Sequence, residues 1–205
     1  YESSFGLFAR CNNSEIKNLV LKGSIVVNTD GTVGALCTSA YKSTFTNVIS
    51  YVNITNSGTG AVGGLAGKFG GQDGSEISNC AVYADISGTT AGGLVGLGWD
   101  GYQYYNIKNS VYAGNVTGTT AGAIIGNHQT GNTTSVFSKV YWNETDGLGF
   151  FGTTNKTHDL SSVSAKTAEA FASGEVAYLL NGEKTDGTQS WYQTLKTDTY
   201  PVLDS

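Results

Sequence analysis

Thr90-Ala91-Gly92-Gly93-Leu94-Val95-Gly96 is the stretch on which the fold turns, because the chain repeats it. Val33-Gly34-Ala35-Leu36-Cys37-Thr38, Val62-Gly63-Gly64-Leu65-Ala66-Gly67 and Ala121-Gly122-Ala123-Ile124-Ile125-Gly126 are versions of the same phrase. Ser4-Phe5-Gly6-Leu7-Phe8-Ala9 and Gly147-Leu148-Gly149-Phe150-Phe151-Gly152 are weaker copies. The large apolar residue steps through Leu7, Leu36, Leu65, Leu94, Ile124 and Phe150, at spacings of 29, 29, 29, 30 and 26 residues. A fixed period in this range marks a repeat architecture, in which each unit buries its apolar face only against its neighbours.

A second column holds the same register. Asn18, Asn47, Asn79 and Asn109 each follow, by two residues, an apolar or aromatic residue: Ile16, Phe45, Ile77 and Ile107. Seven residues after each Asn stands a branched aliphatic: Ile25, Ile54, Ile86 and Val116. The fifth copy puts Lys139 in place of the Asn. Stacked one strand spacing apart, about 4.8 Å, such amides can hydrogen-bond along the pile.

Composition agrees with short strands joined by tight turns. The 205 residues include 29 Gly and 1 Pro, and only 13% are charged. Gly pairs and β-branched residues dominate the repeat, and no apolar run keeps helical spacing. The net charge of −5 and the absence of a basic run argue against nucleic acid, whose affinity for proteins rests on Lys and Arg meeting phosphates. No apolar run approaches the ~18 residues of a membrane-spanning helix. Three cysteines cannot close a disulfide framework among themselves. Cys37 and Cys80 fall on apolar repeat positions, the first aligned with Phe8, Ala66 and Val95, and are expected as buried thiols; a Cys11–Cys37 bridge between adjacent coils is the alternative. The chain opens inside a repeat with no signal peptide, as expected of a piece of a longer protein or one whose leader was removed.

The repeats run over residues 1–152. In the strand after each Asn, alternation turns inward Leu21, Gly23 and Ile25, then Ser50, Val52 and Ile54, then Val82, Ala84 and Ile86, then Tyr112, Gly114 and Val116. Lys22, Tyr51 and Tyr83 point out. The column Val20, Ile49, Ala81, Val111 breaks this alternation and predicts a bend or bulge near the Asn. Residues 153–205 form a capping segment with one short helix. Its apolar side is Ala168, Phe171, Val176, Leu179 and Leu180, its N-cap Thr167 or Ser164, and its stop Gly182. Trp191-Tyr192 and Tyr200-Pro201-Val202-Leu203 read as short extended segments, and the tail is expected to cover the last coil.

The repeated Gly-Leu-Val-Gly phrase with its downstream Ile107-Lys108-Asn109-Ser110-Val111-Tyr112 resembles the GLUG motif. Such repeats occur in large secreted and wall-attached bacterial proteins, among them immunoglobulin A-specific metallopeptidases and adhesin-like proteins. The resemblance covers about residues 1–152 and implies an all-β right-handed parallel β-helix, or β-solenoid, of about five to six coils with a small helix-containing C-terminal cap. It carries no catalytic residues to this chain.

The residues themselves point the same way. Only His128 and His158 are present, no His-Glu-x-x-His occurs, and no Gly-x-Ser-x-Gly elbow is found. Neither a metal ion nor a cofactor is expected. The coils lengthen in one place: from the Leu column to the Asn column the gap is 11, 11, 14, 15 and 15 residues. Insertions in a solenoid collect on one edge, often the binding edge. Here the inserts supply Trp99, Asp100, Tyr102, Tyr104 and Tyr105, with Phe69, Asp73 and His128 as neighbours. Aromatic faces beside amides and carboxylates suit a sugar, so this edge is expected to bind a glycan or cell-surface ligand. Asp73 and Asp100, on adjacent inserts, are also what a glycan-cleaving enzyme would need. The expectation is a non-enzymatic extracellular surface module, an adhesin or spacer segment of a larger exported bacterial protein. The alternative is a carbohydrate-binding module of a polysaccharide-active protein.

Overall fold

A computed structural model describes residues 5–71, 75–98, 104–129, 135–144, 147–184 and 186–203. The chain is a parallel β-solenoid of about five turns with two short helices near its C-terminus. Each coil runs through a short strand, a Gly-rich corner, a second strand, a turn and a long third strand. Stacking gives a four-stranded, a six-stranded and a nine-stranded sheet among the described residues.

The Leu column is the hinge between the first two walls. The amide of Leu36 donates to Leu65 O (3.0 Å), Leu65 to Leu94 O (2.9 Å), Leu94 to Ile124 O (3.0 Å) and Ile124 to Phe150 O (3.1 Å). Leu36, Leu65, Leu94 and Ile124 are fully buried. Leu65 and Leu94 therefore lie on neighbouring rungs, as the 29-residue period requires. The corner glycines allow close approach of successive coils. A Cβ on Gly93 would run into the Ala123 carbonyl and the Tyr112 ring, and one on Gly96 into the backbone of Val62.

The second wall pairs Phe8, Cys37, Ala66, Val95, Ile125 and Phe151 in one column. All three thiols are free and buried. A thiol–thiol hydrogen bond holds Cys11 below its ordinary value and pushes Cys37 up, and burial pushes Cys80 up to about 12.

In the third wall Asn18, Asn47, Asn79, Asn109 and Lys139 all adopt left-handed backbone, with φ of 56°, 56°, 51°, 45° and 51°. Asn enters this region more readily than most residues because its short polar side chain bonds locally. One such residue per strand resets the pleat, so inward positions run Phe45, Val48, Ser50, Val52 and Ile54 rather than strictly alternating. Asn47 Nδ2 donates to Asn18 Oδ1 at 3.0 Å, so the amide ladder forms at this pair. The inward residues Ser50, Val82, Ala84, Ile86, Tyr112 and Val116 are buried, and Ser50 Oγ accepts from the Val52 amide.

The reset also explains the Ile49, Ala81, Val111 column, which Tyr141 extends. It faces out, and the C-terminal segment packs over it. Phe171, Val176, Ala177, Leu180 and Trp191 form a second buried cluster with Ile49, Ala81, Val111, Ala113 and Tyr141. Leu160, Val163 and Ala165 cover the last coil, while the helices and Trp191 lie along the flank of the nine-stranded sheet. The Val163–Lys166 strand still pairs with Phe137–Asn143, so the rungs continue past residue 152 before the cap begins. The expected single helix is two, α1 (Ala168–Ala172) and α2 (Glu175–Leu180), broken where Gly174 turns left-handed at φ 85°. Thr167 Oγ1 caps α1 by accepting from the Ala170 amide (3.2 Å), and Gly182 (φ 72°) follows α2. Trp191–Tyr192 and Val202–Leu203 pair as an antiparallel ribbon.

Candidate functional site

The edge expected to bind ligand divides sharply. Asp73, Trp99, Asp100 and Tyr102 lie outside the described residues. Tyr104 is half-buried, and its amide donates to Gly71 O (3.2 Å), joining the roots of two successive inserts. Phe69, Tyr105 and His128 are in the core, each no more than 1% exposed. They present no face to a ligand; they line the inside of the wall on which the inserts are mounted.

Their burial follows from the column they share. Register places Phe69 opposite Ala40 on one side and Gly98 on the other. Gly98 has no side chain, and a Cβ there would strike the Tyr105 hydroxyl and His128 Nδ1. Tyr105 turns into that slot, edge-on to Phe69 with centroids 5.6 Å apart. His128 stacks on Phe151 at 5.0 Å, and Phe137 meets Tyr105, His128 and Phe151.

A polar chain threads this aromatic nest. The Tyr105 hydroxyl lies 2.8 Å from His128 Nδ1, and His128 Nε2 lies 3.0 Å from His158 Nε2. If the phenol donates to Nδ1, His128 carries its proton on Nε2 and donates it to His158; this assignment follows from the network. The proton of His158 then sits on Nδ1, a buried atom with no partner among the described residues. Burial, reinforced by His158, holds His128 down at about 4, and burial also lowers His158. Burial raises Tyr105 well above the ordinary phenol range. All three are neutral at pH 7. Tyr105 and His128 are sealed inside the packed wall, and the chain reaches toward the surface only at the half-buried His158.

Among the described residues, no three His, Cys, Asp or Glu side chains converge as metal ligands would. No described helix is long and apolar enough to cross a membrane. One polar arrangement was not singled out from the sequence: Asn53, Asp85 and Asn115 form an exposed column on the nine-stranded sheet. Its signal was present, since each stands one residue before the aliphatic column Ile54, Ile86, Val116. Comparison with models of protein families, with curated proteins and with solved structures gives no match.

Proposed function

We propose that this chain is a non-enzymatic extracellular surface module, an adhesin or spacer segment of a larger exported bacterial protein. The observation that supports this reading is the unbroken parallel register from Phe8 through Phe151. Such a stack adds length at about 4.8 Å per coil and leaves few loose backbone groups for a protease. The roots of two inserts, Gly71 and Tyr104, meet on one edge, where a scaffold can present recognition without altering its core. The likeness of its Gly-Leu-Val-Gly phrases to the GLUG repeats of secreted and wall-attached proteins supports the location. An antibody against the chain is expected to label intact, unpermeabilised cells of the bacterium that carries the gene. Labelling that appears only after lysis overturns the reading.

A further inference from the structure

We infer that the seam between the solenoid flank and its C-terminal cap is a binding groove for a neutral, polyhydroxylated ring, the pyranose of a glycan. This goes beyond the surface-module reading and does not depend on it.

The groove has a volume of about 380 Å³ and lies among Asn53, Tyr83, Asp85, Ala113, Asn115 and Tyr200. Its origin is legible in the register. The outward column that reads Lys22, Tyr51 and Tyr83 continues as Ala113, so the floor drops where a ring is replaced by a methyl group. The cap closes one side. Tyr200 stacks on Tyr83 with centroids 5.0 Å apart and planes 10° from parallel, and the Tyr83 hydroxyl donates to the Pro201 carbonyl. The other side is the polar column. The Asp85 amide donates to Asn53 Oδ1 (2.9 Å), and Asn115 donates from N and Nδ2 to Asp85 Oδ1 (2.9 and 3.0 Å). The Gly114 amide donates to Asn143 Oδ1 at 3.4 Å. These bonds hold the rim side chains in fixed geometry before any ligand arrives, which lowers the ordering cost of binding.

The chemistry of the rim selects the guest. Amides offer both donors and acceptors, as sugar hydroxyls require, and carboxylate oxygens accept from hydroxyls. The lining holds no Lys or Arg, and Asp85 repels anions, so phosphates and acidic sugars are disfavoured. A single carboxylate, with one oxygen already accepting two bonds, is a poor cage for calcium, which takes six to eight oxygens. Ala113, beside the tyrosine edges, leaves room for the C–H face of a ring.

The test is titration of the isotope-labelled whole chain with methyl pyranosides of the gluco, galacto and manno series and their oligomers, followed by amide shifts. At least one sugar is expected to shift the amides of Ala84, Ala113 and Gly114. Asp85→Ala and Asn115→Ala are each expected to weaken binding at least tenfold, the loss of about one charge- or amide-mediated bond in a sheltered site. Melting temperatures check that the variants fold; should they not, the exposed Asn53→Ala and the wild-type shift map decide alone. The proposal is overturned if no sugar moves these amides, or if calcium chloride moves them and no sugar does. It is equally overturned if binding survives both substitutions and disappears in Trp99→Ala, which would place recognition on the inserts.

Discussion

Two strands of this protein carry the same pattern and meet different fates. Glu15–Val27 and Thr44–Asn56 are both 13 residues long and pair residue for residue along their whole length. Both have the left-handed Asn, the same inward positions and an outward aliphatic residue two places after that Asn, Val20 in one and Ile49 in the other. Yet Val48 and Ile54 are buried, while their partners Leu19 and Ile25 are only half-buried, and Val20 and Val26 are 55% and 78% exposed. The second strand is flanked on its far side by Glu76–Ser78, Ala81–Val82 and Ile86–Ser87, and its outward Ile49 is covered by the cap. Among the described residues the first strand pairs on one side only. In a solenoid the burial of a side chain is a property of its neighbours, and the strand's own sequence sets only its direction.

Substitution at one paired position tests this most directly. Ile54→Ala should cost about 4 kcal/mol, the range for a closed core site that cannot collapse. Ile25→Ala, at the partner position, should cost only about 1 kcal/mol, because a half-exposed side chain gives up less transfer energy and leaves no sealed cavity. Urea unfolding of the two variants measures the difference; equal costs would break the comparison.

Acid should separate the two ends of the stack. The folded pKa of His128 lies at about 4, below its ordinary 6.5. Between those values the unfolded chain binds a proton that the folded chain refuses. The stability this group contributes is therefore complete above pH 6.5 and is lost as pH falls toward 4. The full swing is about 3 kcal/mol, and His158, shifted the same way, adds to it. On lowering the pH to 5, hydrogen-exchange protection, corrected for the intrinsic rate, should fall around Asn127 and Thr153 more than in Glu15–Val27. In His128→Phe the slope of stability over this window should shrink; an unchanged slope would mean that other groups carry it.

The smallest effect concerns the corner. Asn47→Ala should cost about 1 kcal/mol, chiefly the strain of a left-handed residue with a Cβ and no local bond. Asn47→Gly should cost less, although it too loses the bond to Asn18. Lys139, with φ 51° at the equivalent position, already shows that backbone and not amide is the constant. Equal costs in calorimetric unfolding would shift the weight to the amide ladder.

The sequence made the stack legible because inward columns are paired at a fixed period. Leu36 to Leu65 to Leu94 needed only counting, and the placement of Cys37 beside Phe8, Ala66 and Val95 followed. The site was less legible. Tyr105 and His128 looked like an exposed rim because inserts of unequal length lose phase with the strands. Their inward turn depends on the slot left by Gly98, seven residues before Tyr105 and one coil before His128, which no strand periodicity reports. The cap was legible as a helical segment but not in position. The break in alternation at Ile49, Ala81 and Val111 signalled the bend correctly; that the exposed stripe was itself a docking strip required knowing that Phe171, Val176 and Trp191 had nowhere else to bury.

Because the cap lies on the flank, it has a mechanical consequence. It grips Ile49, Ala81, Val111 and Tyr141, which belong to four successive turns. Force pulling along the long axis cannot unravel those turns one at a time like a loosened spring. It must first shear a splint that spans them together, so the load at which this part of the molecule yields is set by the side of the rod and not by its tip.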